Sequence, residues 1–172
     1  IQHYERDKKT MLAPPELLEI HPLGKSPVIT HQGRNIAESG AIIEYILDQF
    51  DPEHQLRPAP GSDEFYNYRY WLHYAEGSAM PPLLLKLIFD RLSKPPMPLV
   101  MRPTAALIAM GVKMKFVHPQ LKRHLDFQEA TLTESSWFAG EQFSAADIQM
   151  SFAVEGAHSR GMLADKYPKL SE

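Results

Sequence analysis

A proline-rich stretch at residues 51–61 constrains the fold of this chain more than any other feature. It holds three prolines among polar neighbours and ends on Gly61, a composition typical of a linker between domains. Strand-like and helix-like patterns alternate before it, whereas every pattern after it is helical. The sequence therefore predicts an α/β unit over residues 1–50, a linker over 51–61 and an all-helical unit over 62–172.

Strand signals are confined to the first unit. Residues 26–31 are rich in β-branched side chains, Gln32-Gly33 is a turn signal, and residues 34–36 supply a partner strand. This pattern predicts a β-hairpin. Residues 1–4 alternate apolar and polar side chains, which predicts one more short strand.

Helical patterns occur in both units. They predict helices over residues 15–20, 38–50, 65–92, 104–133 and 144–157. The two longest contain prolines, at Pro81-Pro82 and at His118-Pro119. Since a proline inside a helix removes a hydrogen bond, kinks are expected near Met80 and near His118.

Composition excludes several classes of function. The 172 residues have a net charge of −3, so the overall charge does not indicate a nucleic-acid or membrane partner. Cysteine is absent, which excludes a disulfide framework and a thiolate nucleophile within these residues. The eight histidines lack metal-ligand spacing, so no metal is expected. A cytoplasmic location fits this composition.

Ser26-Pro27 stands at the head of a predicted strand. A proline there cannot donate to the strand ladder, and X-Pro is the bond type in which cis is least costly. A cis bond would let the Ser26 backbone pair with an extended ligand. The alternative is a trans proline at an edge strand, which the spacing alone favours because cis is the minority form.

Glu38 and Ser39 lie where a strand gives way to a helix. Free N–H groups and the positive end of the helix dipole point outward at such a position. A ligand carboxylate could bind Ser39, and a ligand ammonium group could pair with Glu38. Simple helix capping is the alternative for both residues. Lys25 could bind a second carboxylate, or it could be an ordinary surface lysine.

Two features of the second unit complete the candidates. Ser144 and Asp147 have the spacing of a capping box, which predicts a structural role at the start of a helix. The helix that begins near Phe65 carries aromatic residues on nearly every face, so some of them leave the helical core to line a cleft or an interface.

Three motifs in fixed order resemble the cytosolic glutathione S-transferase superfamily. They are His-Pro-Leu-Gly-Lys-Ser-Pro-Val-Ile at 21–29, Ala-Glu-Ser-Gly-Ala-Ile-Ile-Glu-Tyr-Ile-Leu at 37–47 and Phe-Ala-Gly-Glu-Gln-Phe-Ser-Ala-Ala-Asp-Ile at 138–148. The resemblance covers essentially the whole chain. Tyr-Trp-Leu-His-Tyr-Ala-Glu-Gly at 70–77 is most similar to bacterial or fungal members.

The resemblance implies a fold and a ligand. The first unit would be a thioredoxin-like domain and the second a helical bundle, assembled as a homodimer. Pro27 would be cis, and the Ser26 backbone would pair with the cysteinyl part of glutathione. Glu38 and Ser39 would hold the γ-glutamyl end, and Lys25 would reach the glycyl carboxylate.

The resemblance also implies an activity. Glutathione would be the co-substrate, and its thiolate would attack a small hydrophobic electrophile or reduce a peroxide. Tyr70, His73 and Tyr74 are the candidates for the electrophile site. A non-catalytic member of the fold, serving as an interaction or regulatory module, is the alternative.

One part of the family pattern is missing. In this superfamily a strand and a helix precede the segment that matches residues 1–4, and the residue that activates the thiol lies at their junction. The catalytic residue therefore cannot be named from this sequence. We expect the natural polypeptide to be longer than the residues given.

Overall fold

The computed structural model describes residues 1–8, 10 and 12–172. The chain divides into two compact units, residues 1–55 and 56–172. The first contains strands and helices and the second is helical, so the predicted α/β plus all-α plan is confirmed. The exact linker bounds, 51–61, stay a prediction.

The first unit is built on a β-hairpin. Its strands are β1, Val28–His31, and β2, Arg34–Ala37, which pair antiparallel with Val28 opposite Ala37 and His31 opposite Arg34. Gln32 and Gly33 both have positive φ, 50° and 77°, which matches the type I′ turn that suits a two-residue hairpin. The predicted hairpin is thus confirmed.

Two helices flank this hairpin in sequence. The first, α1, spans Pro15–Ile20, and the second, α2, spans Ser39–Phe50. The Asn35 side chain donates to the Ile20 carbonyl at 2.8 Å, and His31 Nδ1 lies 2.8 Å from the Tyr45 hydroxyl. A hydrogen bond therefore joins each of the two helices to the hairpin.

The predicted strand at residues 1–4 is wrong. These residues have no regular secondary structure, and in the part of the chain that the structure describes the sheet consists of β1 and β2. A strand is held by hydrogen bonds to a neighbouring strand, so an alternating pattern does not form one without a partner.

The second unit starts with two long helical runs. The first run is α3, Asp63–Tyr74, a π-helical turn at Ala75–Ala79, and α4, Met80–Arg91. The second, preceded by a 3₁₀ turn at Leu99–Met101, is α5, Arg102–Val112, a π-helical turn at Lys113–Val117, and α6, His118–Glu134.

Both irregularities lie one turn before the position predicted from the prolines. The N–H of Met80 bonds to the Ala75 carbonyl, and the N–H of His118 bonds to the Lys113 carbonyl. Each of these i→i−5 bonds comes directly before a proline. The wider π turn directly before each proline accommodates the missing N–H, so an irregularity is present at both predicted places. The kinks themselves stay a prediction.

The remaining helices close the second unit. They are α7, Ala145–His158, a 3₁₀ turn at Ala164–Lys166, and the short α8, Pro168–Ser171. The Glu129 carboxylate accepts hydrogen bonds from the N–H groups of Lys169 at 2.9 Å and Leu170 at 3.0 Å, which fixes α8 to α6.

The centre of the second unit is aromatic. The Trp71 ring lies 5.2 Å from Phe127, 4.8 Å from Phe138 and 4.8 Å from Tyr74, measured between centroids. Trp71 and Tyr74 are buried. Core packing is thus the main role of Trp71 and Tyr74.

Candidate functional site

The open end of the hairpin brings the two sequence motifs side by side. Val28 and Ala37 form the last registered pair of the ladder, and residues paired in this way lie about 4.5–5.5 Å apart. Pro27 directly precedes Val28, and Glu38 directly follows Ala37. The motifs around Ser26 and Ser39 therefore meet at one edge of the first unit.

The Ser26–Pro27 segment has the form that the resemblance implied. Its peptide bond is cis, and both residues are exposed. The regular strand begins at Val28 rather than at Ser26, so these two residues stand outside the β1–β2 ladder. The expectation of a cis bond is confirmed, and the trans alternative is wrong.

Glu38 has an unusual backbone. Its φ is 72° and its ψ is 122°, in a region that residues with a side chain rarely occupy. It precedes α2, and its carbonyl accepts the N–H of Ile42 at 2.9 Å. The exposed Glu38 side chain makes no capping hydrogen bond to α2, so capping does not explain the acid at this position.

Ser39 is the first residue of α2 and is half-buried. The N–H groups of the first helical turn have no acceptor within the helix, and the dipole makes this end positive. A carboxylate of a ligand is stabilised at such a terminus. The first turn of α2 contains no acidic residue that would compete for these groups.

Lys25 follows a tight turn. The N–H of Gly24 donates to the His21 carbonyl at 2.8 Å, and Gly24 has a φ of 54°. A Cβ at this glycine would lie 2.7 Å from the Leu18 side chain, so the turn packs closely against α1. This turn sets the exposed Lys25 directly before Ser26.

A separate cavity lies on the second unit. It has a volume of about 460 Å³ and is lined by Tyr66, Arg69, Tyr70, His73, Tyr74 and Ser78. It unites the three predicted electrophile-site residues. Sequence reasoning did not single out Tyr66, Arg69 and Ser78, although spacing of three or four residues along one helical run places them on a common face.

Tyr74, which lines this cavity, also has a polar contact with His124. Its hydroxyl lies 2.5 Å from Nδ1 of His124. Burial is the main cause that raises the pKa of Tyr74 to about 12, and burial also lowers the pKa of His124. Both groups are therefore neutral near pH 7, so this pair adds no charge to a cavity whose lining already includes the Arg69 guanidinium.

Ser144 and Asp147 form a capping box at the start of α7. The buried Asp147 carboxylate accepts the Ser144 N–H, the Ser144 hydroxyl and the Phe138 N–H, each at 2.8 Å. These bonds join the start of α7 to the loop before it. The geometry is that of a structural element.

No metal site is apparent in the residues that the structure describes, since none of their His, Asp and Glu side chains form a group of three or more suited to an ion. Among the same residues, no helix is both long and apolar enough to cross a bilayer.

Comparison with known proteins establishes the family. Residues 1–48 match the model of the glutathione S-transferase N-terminal domain, and residues 113–172 match that of the C-terminal domain. Glutathione S-transferase 1 of Saccharomyces cerevisiae is 34% identical over 98% of this chain and 75% of its own length. The chain belongs to the glutathione S-transferase family. The resemblance indicated by the three motifs is thereby confirmed.

Other family members agree. Glutathione S-transferase 3 of Schizosaccharomyces pombe is 34% identical over 90% of this chain, which spans 62% of that relative's length. A crystal structure of a glutathione S-transferase from Actinobacillus pleuropneumoniae is 30% identical, with a TM-score of 0.74 over 98% of this chain and 70% of the other. The fold of this glutathione S-transferase family member is thus a thioredoxin-like N-terminal part with a helical C-terminal part.

Proposed function

We propose that the chain binds glutathione at the open end of the hairpin and that the protein is a glutathione transferase. The observation that carries this proposal is Glu38, an exposed acid held at a φ of 72° directly before Ser39 and α2. Backbone strain of this kind costs on the order of 1–3 kcal/mol and is retained mainly at functional sites.

Each part of the ligand has a chemical partner at this edge. The γ-glutamyl carboxylate binds the Ser39 hydroxyl and the positive end of α2, and the ammonium group pairs with Glu38. The cysteinyl part pairs with the Ser26 backbone beside Pro27, as an added strand would. Lys25 neutralises the glycyl carboxylate. The names of the fungal relatives support the same ligand.

The reaction class follows from the thiol. Its thiolate is the nucleophile, so an enzyme of this kind lowers the thiol pKa and presents an electrophile to the sulfur. Peroxide reduction by the same thiolate is a second substrate class for this site. The cavity lined by Tyr70, His73 and Tyr74 takes the electrophile, because the tyrosine side chains supply much of its lining.

We expect Glu38→Gln with Ser39→Ala to abolish retention on immobilised glutathione, because the variant loses both partners of the γ-glutamyl end. Glu44→Gln with Ser151→Ala is the matched control, since it removes an acid and a hydroxyl elsewhere and should be retained like the parent. Unchanged retention of the first variant would refute the site. Retention without turnover of any electrophile would favour the non-catalytic module.

The proposal extends to assembly and location, on the resemblance to the family. The molecule acts as a homodimer in the cytoplasm. Sedimentation velocity tests the assembly: a mass twice that of the chain is expected, and a monomer at every concentration would contradict it.

A further inference from the structure

The charges of this chain are unevenly distributed. All 21 acidic residues lie outside residues 91–125, whereas seven of the 18 Lys and Arg residues lie inside it. The net charge of −3 therefore hides a strongly cationic segment. This segment includes α5, the π-helical turn that follows it and most of the first half of α6.

The outward face of α5 is apolar. Ala105 and Ala109 are buried on the side of α5 that packs in the helical unit. On the opposite side, Leu107 and Met110 remain 65% and 51% exposed, and Met114 of the π-helical turn that follows is 63% exposed. Together with Leu99 and Val100 of the preceding turn, which are also exposed, we call these residues the α5 face.

This composition is unusual for a helix in water. Residues 103–112 contain no charged side chain, although most of them are exposed. A helix that is apolar on all sides is normally buried, and contiguous exposed apolar patches mark sites of interaction.

Cations border the α5 face at both ends. Lys94 precedes it and Lys115 follows Met114, and both side chains are exposed. Two nearer cations are engaged within the protein: Lys113 pairs with Asp90 at 2.7 Å, and Arg102 Nε donates to the Met97 carbonyl at 3.0 Å. The surface thus has an apolar centre with positive charge at its margins, and residues 91–125 contribute no acidic side chain to it.

We propose that residues 91–117 dock this glutathione S-transferase family member on an anionic membrane surface. The headgroup boundary accommodates Leu107, Met110 and Met114, while lipid phosphates and carboxylates attract Lys94 and Lys115. A nucleic acid would match the cations but not the apolar centre. The protein lies on the bilayer without crossing it, and the proposal is independent of glutathione binding.

Vesicle binding tests this proposal. The protein is sedimented with vesicles of phosphatidylcholine and phosphatidylserine in equal parts, and with phosphatidylcholine alone. We expect binding to the anionic vesicles, weaker binding to the neutral ones, and a decline with added salt as screening increases. Equal binding to both, or binding to neither, would overturn the proposal.

Two variants separate the apolar and the charged contributions. Leu107→Gln with Met110→Gln and Met114→Gln should abolish binding, and Lys94→Gln with Lys115→Gln should weaken it about fivefold for each lysine removed. The matched controls are Ile148→Gln with Phe152→Gln, both exposed apolar residues of α7, and Lys8→Gln with Arg34→Gln in the first unit. Controls that lose binding as strongly as the variants would refute the site.

The same variants test the rival occupant, a second copy of the chain. All substituted side chains are exposed, so thermal unfolding midpoints should match that of the parent. If the apolar variant converts a dimer to a monomer in sedimentation velocity, the α5 face is a subunit interface and the membrane proposal is wrong.

Discussion

Glu38 joins local strain to the proposed binding site. Its φ of 72° costs free energy that glycine would not pay, since glycine adopts positive φ without steric conflict. We expect Glu38→Gly to stabilise the protein by about 1 kcal/mol, measured by urea unfolding, and to abolish retention on immobilised glutathione. Glu44→Gly, in the middle of α2, should instead destabilise the protein by about 1 kcal/mol and leave retention intact. Destabilisation by Glu38→Gly would show that the residue is held without strain.

The residues of the candidate site could be predicted from the sequence, but their backbone conformation could not. The residue types at positions 26, 38 and 39 carried the ligand hypothesis, because an acid and a hydroxyl at a helix start suit an amino-acid head group. The positive φ of Glu38 could not be predicted, since it results from the junction between β2 and α2 rather than from the residue itself.

The start of α7 shows how one element depends on a few polar bonds. Removing the Ser144 hydroxyl should cost about 1 kcal/mol, as for other helix caps. Asp147→Ala should cost about 2–3 kcal/mol, because it leaves the buried N–H groups of Ser144 and Phe138 without their charged acceptor. Ser151→Ala, on the exposed side of α7, should be nearly neutral. Urea midpoints of the three variants decide this, and equal midpoints would contradict the role of the box.

At the scale of elements, local signals were the predictable part. Pro15 and the Gln32-Gly33 turn determined α1 and the hairpin, since each acts through the backbone of adjacent residues. The strand predicted at residues 1–4 was wrong because pairing is not local. The two π-helical turns were not predicted, because a proline shows where a helix lacks an N–H donor but not which backbone geometry accommodates that loss.

At the scale of the whole molecule, the distribution of charge matters more than its sum. The net charge of −3 supported the expectation that no membrane is bound. Helix packing then turns Ala105 and Ala109 inward and leaves Leu107 and Met114 exposed. The apolar face arises because these alanines rather than the larger side chains face inward, which the uncharged stretch 103–112 does not specify.

The stability of the whole chain should depend on pH through the Asp90 carboxylate. This carboxylate pairs with Lys113 at 2.7 Å and Lys86 at 2.5 Å, and the hydrogen bonds from Lys113 and then Lys86 lower its pKa from 3.8 to about 2. A carboxyl group whose pKa is lower in the folded than in the unfolded state stabilises the fold at pH values above its unfolded-state pKa. This contribution is lost as the pH falls through its folded-state pKa. The urea midpoint of the parent should therefore exceed that of Asp90→Asn at pH 6. The difference should shrink between about pH 4 and pH 2. A difference that stays constant across this window would show that the ion pair joining α4 to the second π-helical turn does not stabilise the fold.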